Sequence, residues 1–446
     1  MNRPAHFICR VGFLLLCVLP TAVVGGWIVQ RSQPGFLLSA RQEWEQELSR
    51  QLGLRVTCTT VEYPRPNTAE LSNVVITDSE TGAAVASARS LELIYTSERW
   101  KLAGAQIVIE TAQLPLLRTQ LEQRMLRRET STKLPNSCEI WLREITLRSE
   151  ERGLTLIDVA GEWKMNENGP SCALSFRLPE SDSQQPSGQW MVQRNRQTTP
   201  PSTLWQLKTG NTPLPCSVAA AAWPAVRQLG PGAQFAGELE VVQAANEFSG
   251  QLRGTLFDVD LDSLVSEQLP HRLSGLAICK IAEARIERNQ LTLVRGTCQA
   301  KDGSISASLL ASAAEHLQLA GPPTESLATN SVVPFRQLSL GFDLRAAGLQ
   351  LTGSADPLRK GVLLATATGS LLGAPPQHHA QATGLLNALV PTSERMTRQG
   401  QYLAGLLPVA EGQTPHAVAR QPQHFPLRMH PSRDSQSPAL RQPQMR

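Results

Sequence analysis

Three aspartates, Asp258, Asp260 and Asp262, alternate with apolar residues and are the first candidates for metal ligands in this chain. On a strand they would place three carboxylates on one face. A calcium loop of the D-x-D-x-D-G type also needs a glycine directly after the third aspartate and a glutamate at its twelfth position. Ser263 and Leu269 occupy those two positions. The pattern therefore favours the edge of an amphipathic strand, and we predict no metal site.

The histidines give little support for metal binding or for acid–base catalysis. His378 and His379 are adjacent in a polar, proline-rich stretch without a further ligand at a useful spacing. We predict that both belong to a solvated tail. His271 and His316 each stand alone, and we predict that they lie at the surface or at a helix end.

Motifs of nucleophilic or nucleotide-dependent catalysis are missing from the sequence. It has no G-x-S-x-G or S-x-x-K pattern and no cysteine beside a histidine. It also lacks a Walker loop and a G-x-G-x-x-G fingerprint, so its glycines are interpreted as turn residues. The two carboxylates of a glycosidase can be distant in sequence, but nothing points to such a pair. We predict a protein that is not an enzyme and that has no cofactor.

Six of the eight cysteines follow the N-terminal segment, and none of them forms a C-x-x-C pair. A zinc site or a thioredoxin-type redox site is therefore not indicated. Two alternatives remain open: the cysteines are small buried apolar residues, or some of them pair in an oxidising compartment. The six are Cys58, Cys138, Cys172, Cys216, Cys279 and Cys298.

Composition restricts the class of protein. The chain has 446 residues, enough for two or three domains, and 41% of them are apolar. Its 42 basic and 38 acidic residues give a formal net charge of +4. Because this balance is nearly even and no basic stripe with interleaved aromatic residues occurs, we predict that nucleic acid is not a partner.

Residues 11–29 contain no charged side chain and are mostly apolar. A helix of this length rises about 28 Å, close to the roughly 30 Å hydrocarbon core of a bilayer. The segment is either an uncleaved anchor or a secretory signal. It is longer than a typical signal core, no clean A-x-A site follows it, and Trp27 suits a membrane interface. These features favour a single-pass anchor, and Arg3 and Arg10 favour an N-terminus inside with the bulk of the chain exported.

Behind this segment the apolar pattern predicts a helix over 36–53, since Trp44, Leu48 and Leu52 recur at helical spacing before Gly53. Short runs with a two-residue period follow, separated by Pro, Gly and Asn turns. We predict a mainly β protein with peripheral helices, in which the anchor precedes an elongated, curved antiparallel sheet. The predicted regions are a stub and anchor (1–32), a first helix and β region (33–230), a second β region with a helix (231–373) and a polar, largely disordered tail (374–446).

Several predicted strands alternate apolar and polar residues, which gives the sheet one apolar face. That face is either the closed core of a sandwich or an open groove that could receive a lipid chain, and the period does not distinguish the two. The candidate groove residues are Leu91, Leu93, Leu291, Leu293, Leu338 and Leu340.

One arrangement of elements resembles a known family. The single span is followed by a helix ending in ELSRQLG (47–53), a strand over 55–61, a strand LSNVVI (71–76) and a strand beginning ARSLEL (88–93). This order is similar to the start of the AsmA-like family of bacterial envelope proteins. Residues 282–319 and 338–353 are similar to the C-terminal region of that family.

The resemblance implies an anchor in the inner membrane, a β-groove in the periplasm, and a non-catalytic role in lipid movement or outer-membrane upkeep. Membrane lipids, with possible envelope protein partners, would then be the ligands. The alternative is a structural envelope scaffold whose closed β domains bind protein partners. Two departures from the family are the short chain and its polar tail.

Overall fold

The computed structural model describes Thr21 and residues 34–390, with gaps at 97–98, 128–136, 150–151, 182–184, 222, 246, 268 and 322–330. All of them belong to the compact unit Met1–Pro408. The predicted anchor at 11–29, apart from Thr21, and all residues after 390 lie outside the described residues. Among the helices in the described part of the chain, none is long and apolar enough to cross a membrane.

The protein is mainly β, with 56% strand and 21% helix, and its strands form one large, mostly antiparallel open sheet. This confirms the predicted mainly β class. The strands before residue 230 are β1 (Arg55–Thr57), β2 (Thr60–Arg65), β3 (Thr68–Thr77), β4 (Ala84–Tyr95), β5 (Arg99–Glu110), β6 (Ser137–Arg148), β7 (Leu154–Asn166), β8 (Gly169–Arg177), β9 (Gly188–Asn195), β10 (Ser202–Lys208) and β11 (Leu214–Pro215).

The sheet continues past residue 230 without a break, because β10 pairs directly with β12. The remaining strands are β12 (Gln234–Ala244), β13 (Glu247–Asp260), β14 (Leu273–Glu287), β15 (Gln290–Ser306), β16 (Val332–Arg345), β17 (Gly348–Gly353), β18 (Val362–Ala365) and β19 (Ser370–Gly373).

Almost every strand pairs with its neighbour in sequence, and these pairs are antiparallel. The exception is the parallel pair β5–β6. Parallel neighbours need a crossover rather than a hairpin. Here the crossover includes helix α2 (Leu114–Gln120), which continues as a wider helical turn over Leu121–Leu126.

Helix α1 (Pro34–Leu52) precedes the sheet and lies close to the predicted span of 36–53. It ends because Gly53 takes a φ of 69° and donates its N–H to the carbonyl of Ser49 (2.9 Å). Trp44, Leu48 and Leu52 pack against the first strands. The helical period of these residues therefore marks the face that the helix buries.

Two further helices follow later strands: α3 (Ala307–His316) and α4 (Ala382–Leu389). Helix α3 begins at Ala307, directly after the end of strand β15 at Ser306. The Ser306 hydroxyl then accepts the backbone N–H of Leu309 (3.3 Å), so it is the N-cap of the helix.

The region after residue 374 corrects the sequence interpretation, because the fold continues to Val390. His378 is only 5% exposed rather than solvated. Its Nδ1 accepts the N–H of Leu351 (3.1 Å) and its Nε2 contacts the carbonyl of Leu317 (2.6 Å). Ala380 exchanges both backbone hydrogen bonds with Leu349 (2.7 and 2.9 Å). The prediction of a disordered tail from residue 374 was wrong because this stretch is mostly polar, and only a few small apolar residues in it pair with the edge of β17.

His271 also differs from its predicted surface position. It is 6% exposed, and its Nδ1 lies 3.1 Å from the hydroxyl of Ser308 in the first turn of α3. The hydrogen bond with Ser308 offsets the cost of removing the imidazole from water. The sequence around His271 does not reveal this partner, because Ser308 is 37 residues away.

Candidate functional site

One row of apolar residues crosses the sheet from β3 to β17 on a single face. The strand registers place each member directly opposite the next, and paired positions point to the same side of a sheet. The row therefore forms a continuous surface, which we call the apolar face. Its members in order are Ala69, Leu93, Leu102, Ile140, Gly161, Leu174, Trp190, Leu207, Leu239, Leu252, Ala284, Val294, Leu344 and Leu349.

The opposite face, which we call the polar face, carries mostly charged and polar side chains. Lys101 Nζ lies 2.8 Å from Glu139 Oε2 across the parallel pair β5–β6. Glu283 forms ion pairs with Arg253 and Arg285 on the same face (3.5 and 2.9 Å). Partial burial raises the pKa of Glu283, but the charges of Arg285 and Arg253 outweigh it and leave the pKa lowered. The two faces thus differ as the alternation predicts.

A recess of about 470 Å³ lies on the polar face. It is bordered by Asn73 and Gln106, which have positive φ values of 50° and 51°. The guanidinium of Arg89 donates to Gln106 Oε1 across it (3.2 Å). Left-handed residues within strands bend them locally, so the recess follows from the curvature of the sheet.

Helices cover both ends of the apolar face. Helix α1 covers the end formed by the first strands, where Leu71 and Val74 are almost fully buried. Helices α3 and α4 cover the other end, where Leu310 of α3 and Ala388 of α4 are each 1% exposed. These two ends are closed hydrophobic cores.

Between the covered ends lies a cluster to which only strands contribute. We call it the central patch. Ile145, Val159 and Phe176 are its buried members, and half-buried aliphatic side chains surround them. The half-buried members are Ile107, Ile109, Leu142, Leu147, Leu156, Leu174, Leu207 and Leu214. The helical turn that continues α2 covers the neighbouring part of the face, where Leu126 packs with Trp190.

Five of the six predicted groove leucines lie on the apolar face, and all five are near its covered ends. Leu91 and Leu93 belong to the core beneath α1. Leu291, Leu338 and Leu340 pack against the core that includes α3 and α4.

Leu293 is the exception, because it lies opposite Arg285 and Arg345 on the polar face. The register of β14 and β15 shifts beside it, between Arg285 and Ile286. One extra residue in a strand moves the next side chain to the other face.

The cysteines occur in both of the environments left open by the sequence. Cys279 and Cys298 face each other on β14 and β15 and form a disulfide on the apolar face. Cys58, Cys172 and Cys216 are free and buried. Burial raises the pKa of the thiol to about 11 in Cys58, to about 12 in Cys172 and to about 11 in Cys216. Such thiols are poor nucleophiles at neutral pH.

Asp260, the middle one of the three alternating aspartates, accepts hydrogen bonds from its own neighbours in the chain. The Asp260 carboxylate accepts the backbone N–H of Asp262 (3.0 Å) and the hydroxyl of Ser263 (2.9 Å). Within the described residues, no group of three or more His, Cys, Asp and Glu side chains is placed to hold a metal ion.

A group of arginines at one rim of the apolar face was missed in the sequence. Arg194 follows Trp190 and Val192 on the same face of β9, and it lies opposite Thr203 of β10. Arg118 and Arg127 approach from α2 and the turn after it. The signal was the alternation of Trp190, Val192 and Arg194 along β9.

Comparison of the chain with protein-family models, with curated proteins and with solved structures finds no match.

Proposed function

We propose that this protein is anchored in the inner membrane, acts in the periplasm, and binds or guides lipid acyl chains on its apolar face without catalysis. The observation that carries the proposal is the unbroken apolar row from Ala69 to Leu349. In its central patch, half-buried aliphatic side chains surround three buried ones, and all of them come from strands. Each CH₂ group removed from water contributes about 0.8 kcal/mol without any directional requirement. A strip of aliphatic side chains is therefore enough to hold an acyl chain.

The resemblance to the AsmA-like family supports the periplasmic setting and the role in envelope upkeep. The apolar segment at 11–29 supports the anchor. The proposal needs no polar active site.

Lipid retention in matched variants tests the proposal. Leu239 lies on the apolar face between Leu207 and Leu252, whereas Leu293 lies on the polar face between two arginines. We expect Leu239→Asp to lose most of the lipid that co-purifies with the full chain in mild detergent, and Leu293→Asp to keep it. Both variants must retain the circular dichroism melting profile of the wild type. If wild-type protein carries no lipid, or if the two variants lose it equally, the proposal fails.

The second candidate function is a structural envelope scaffold that binds protein partners. The covered ends of the apolar face favour it, since Leu93 and Leu344 are each only 6% exposed. A scaffold with closed cores would carry no lipid, but it would still co-purify with protein partners from cross-linked envelopes.

A further inference from the structure

The rim of the apolar face beside α2 contains a concentrated positive charge. Arg118, Arg127, Arg194 and Arg196 approach one another here, and Glu122 is the carboxylate that pairs with this group. Glu122 Oε1 lies 3.2 Å from Arg118 Nε, whereas the nearest Glu122 oxygen is 3.9 Å from Arg127. Glu122 is therefore closer to Arg118 than to Arg127.

Arg194 is held by a hydroxyl group. None of the ion pairs found in the described part of the chain includes it, and its Nη1 donates to the hydroxyl of Thr203 (2.7 Å). Thr203 is 3% exposed, so the hydroxyl fixes the guanidinium from below. Burial, followed by the like charge of Arg127, lowers the pKa of Arg194. An anion beside both guanidinium groups would remove this repulsion.

A cleft of about 140 Å³ opens between these side chains. Arg127, Arg194, Thr203 and Gln243 line it, and Glu122 contributes one wall. Gln243 is held in place by the guanidinium of Arg118, which donates to its Oε1 (2.9 Å). Two of the lining side chains, Arg194 and Gln243, are therefore fixed by hydrogen bonds.

The apolar face begins directly below the cleft. Along β10 the residues on this face are Thr203, Trp205 and Leu207, at steps of about 6.8 Å. The rings of Trp205 and Trp190 are tilted by 52° with their centroids 6.0 Å apart, and the guanidinium of Arg118 lies over the Trp205 ring (5.4 Å). The surface thus changes from basic to aromatic to aliphatic within about 14 Å.

Two buried indole donors lie at the aromatic level of this gradient. Within the described residues, the Nε1–H groups of Trp163 and Trp205 have no acceptor. A buried donor without an acceptor costs about 1–3 kcal/mol. Both rings pack with Leu121 and Leu126 of the turn that continues α2.

We infer that the cleft between Arg127 and Arg194 binds the phosphate of an anionic amphiphile whose chain extends past Trp205 towards Leu207. This inference rests on the proposed function, to which it adds the position and charge of the head group. Arginine forks match the tetrahedral oxygens of phosphate, and several arginines with one carboxylate provide more positive charge than a single fatty-acid carboxylate needs. A lipid head group and free phosphate share this chemistry.

Titration of the full chain in neutral detergent, followed by tryptophan fluorescence, tests the inference. The probes are dioctanoylphosphatidylglycerol, dioctanoylglycerol with the same chains but no phosphate, and inorganic phosphate. We expect wild-type protein to bind the phospholipid roughly 10- to 100-fold more tightly than dioctanoylglycerol. The double variant Arg127→Gln/Arg194→Gln should lose this preference and bind dioctanoylglycerol unchanged. Arg194→Lys, which keeps the charge but not the fork, should be intermediate.

The matched control is Arg65→Gln/Arg336→Gln, which removes the same charge from exposed positions and should retain the preference. Equal binding of both lipids by wild type and by the cleft variant would overturn the phosphate site while leaving acyl binding intact. If the protein bound inorganic phosphate but showed no preference between the two lipids, the cleft would not bind the phosphate of a lipid, and the inference would be overturned. Failure to bind either lipid would overturn this inference together with the proposed function.

Discussion

Replacement of His378 by alanine should destabilise the fold strongly, because this side chain joins two elements that are far apart in sequence. A backbone N–H can only donate, so Nδ1 accepts from Leu351 and Nε2 carries the proton that it donates to the carbonyl of Leu317. Leu351 lies on strand β17 and Leu317 directly follows helix α3. The imidazole therefore provides the hydrogen-bond partner both for a backbone N–H of a strand and for a backbone carbonyl at the end of a helix.

The magnitude follows from the burial of all three groups. His378 is 5% exposed, and Leu317 and Leu351 are each 6% exposed. Alanine would leave one N–H and one carbonyl buried without a partner, at about 1–3 kcal/mol each. Some relaxation and water entry will reduce the sum, so we expect His378→Ala to lower the free energy of unfolding by about 2–4 kcal/mol.

Urea unfolding of the full chain in detergent, followed by tryptophan fluorescence, measures this loss. The matched control is His379→Ala, because the neighbouring histidine is exposed and makes one surface contact with the carbonyl of Ala347 (3.1 Å). We expect that variant to change stability by no more than about 0.5 kcal/mol. Amide exchange at Leu351 should also accelerate in His378→Ala only. If both variants lose the same small amount, the histidine does not hold these elements together.

Three further outcomes are expected. Ser306→Ala should cost about 1 kcal/mol in the same urea assay, because it removes the N-cap hydrogen bond to Leu309, and Ser306→Asp should restore it. Glu283→Gln should be less stable than wild type at neutral pH, and the difference should vanish in acid. A carboxyl group whose pKa is lowered by folding stabilises the folded state at pH values above its ordinary pKa of 4.5, and this contribution is lost as the pH falls through its pKa in the folded state. A stability difference that stays constant across pH would refute the role of the ion pairs. Mass spectrometry after iodoacetamide treatment should show Cys58 and Cys172 alkylated only after denaturation, because burial raises their pKa values; rapid labelling of folded protein would contradict their burial.

Much of the sheet could be predicted from the sequence because alternation and strand register agree over long stretches. Leu91 and Leu93 alternate with polar residues, and they lie opposite Leu71 and Ala69 on the apolar face. Helix α1 was predictable for the same reason, since Trp44 and Leu48 recur at the helical period and pack on that face. These signals reflect which side of an element is buried, and the sequence records that directly.

The candidate site was harder to predict, because its details depend on contacts between distant residues. Leu293 alternates with Leu291, yet a register shift against β14 places it among arginines. Strand β9 was missed because its polar side chains obscured the alternation of Trp190 and Val192. The partners of His378 are 27 and 61 residues away, so no local pattern could reveal them.

The pairing of sequence neighbours also determines how the sheet can assemble. Each hairpin closes a short loop, which carries a smaller entropic cost than the long connections of a Greek-key sandwich. As the chain is made from its N-terminus, nearly every new strand finds its partner already present. The β5–β6 junction is the slow step that this order predicts, since its crossover must be placed before the parallel strands can meet. Strand β6 can therefore pair with β5 only after the chain that includes α2 has crossed back over the sheet.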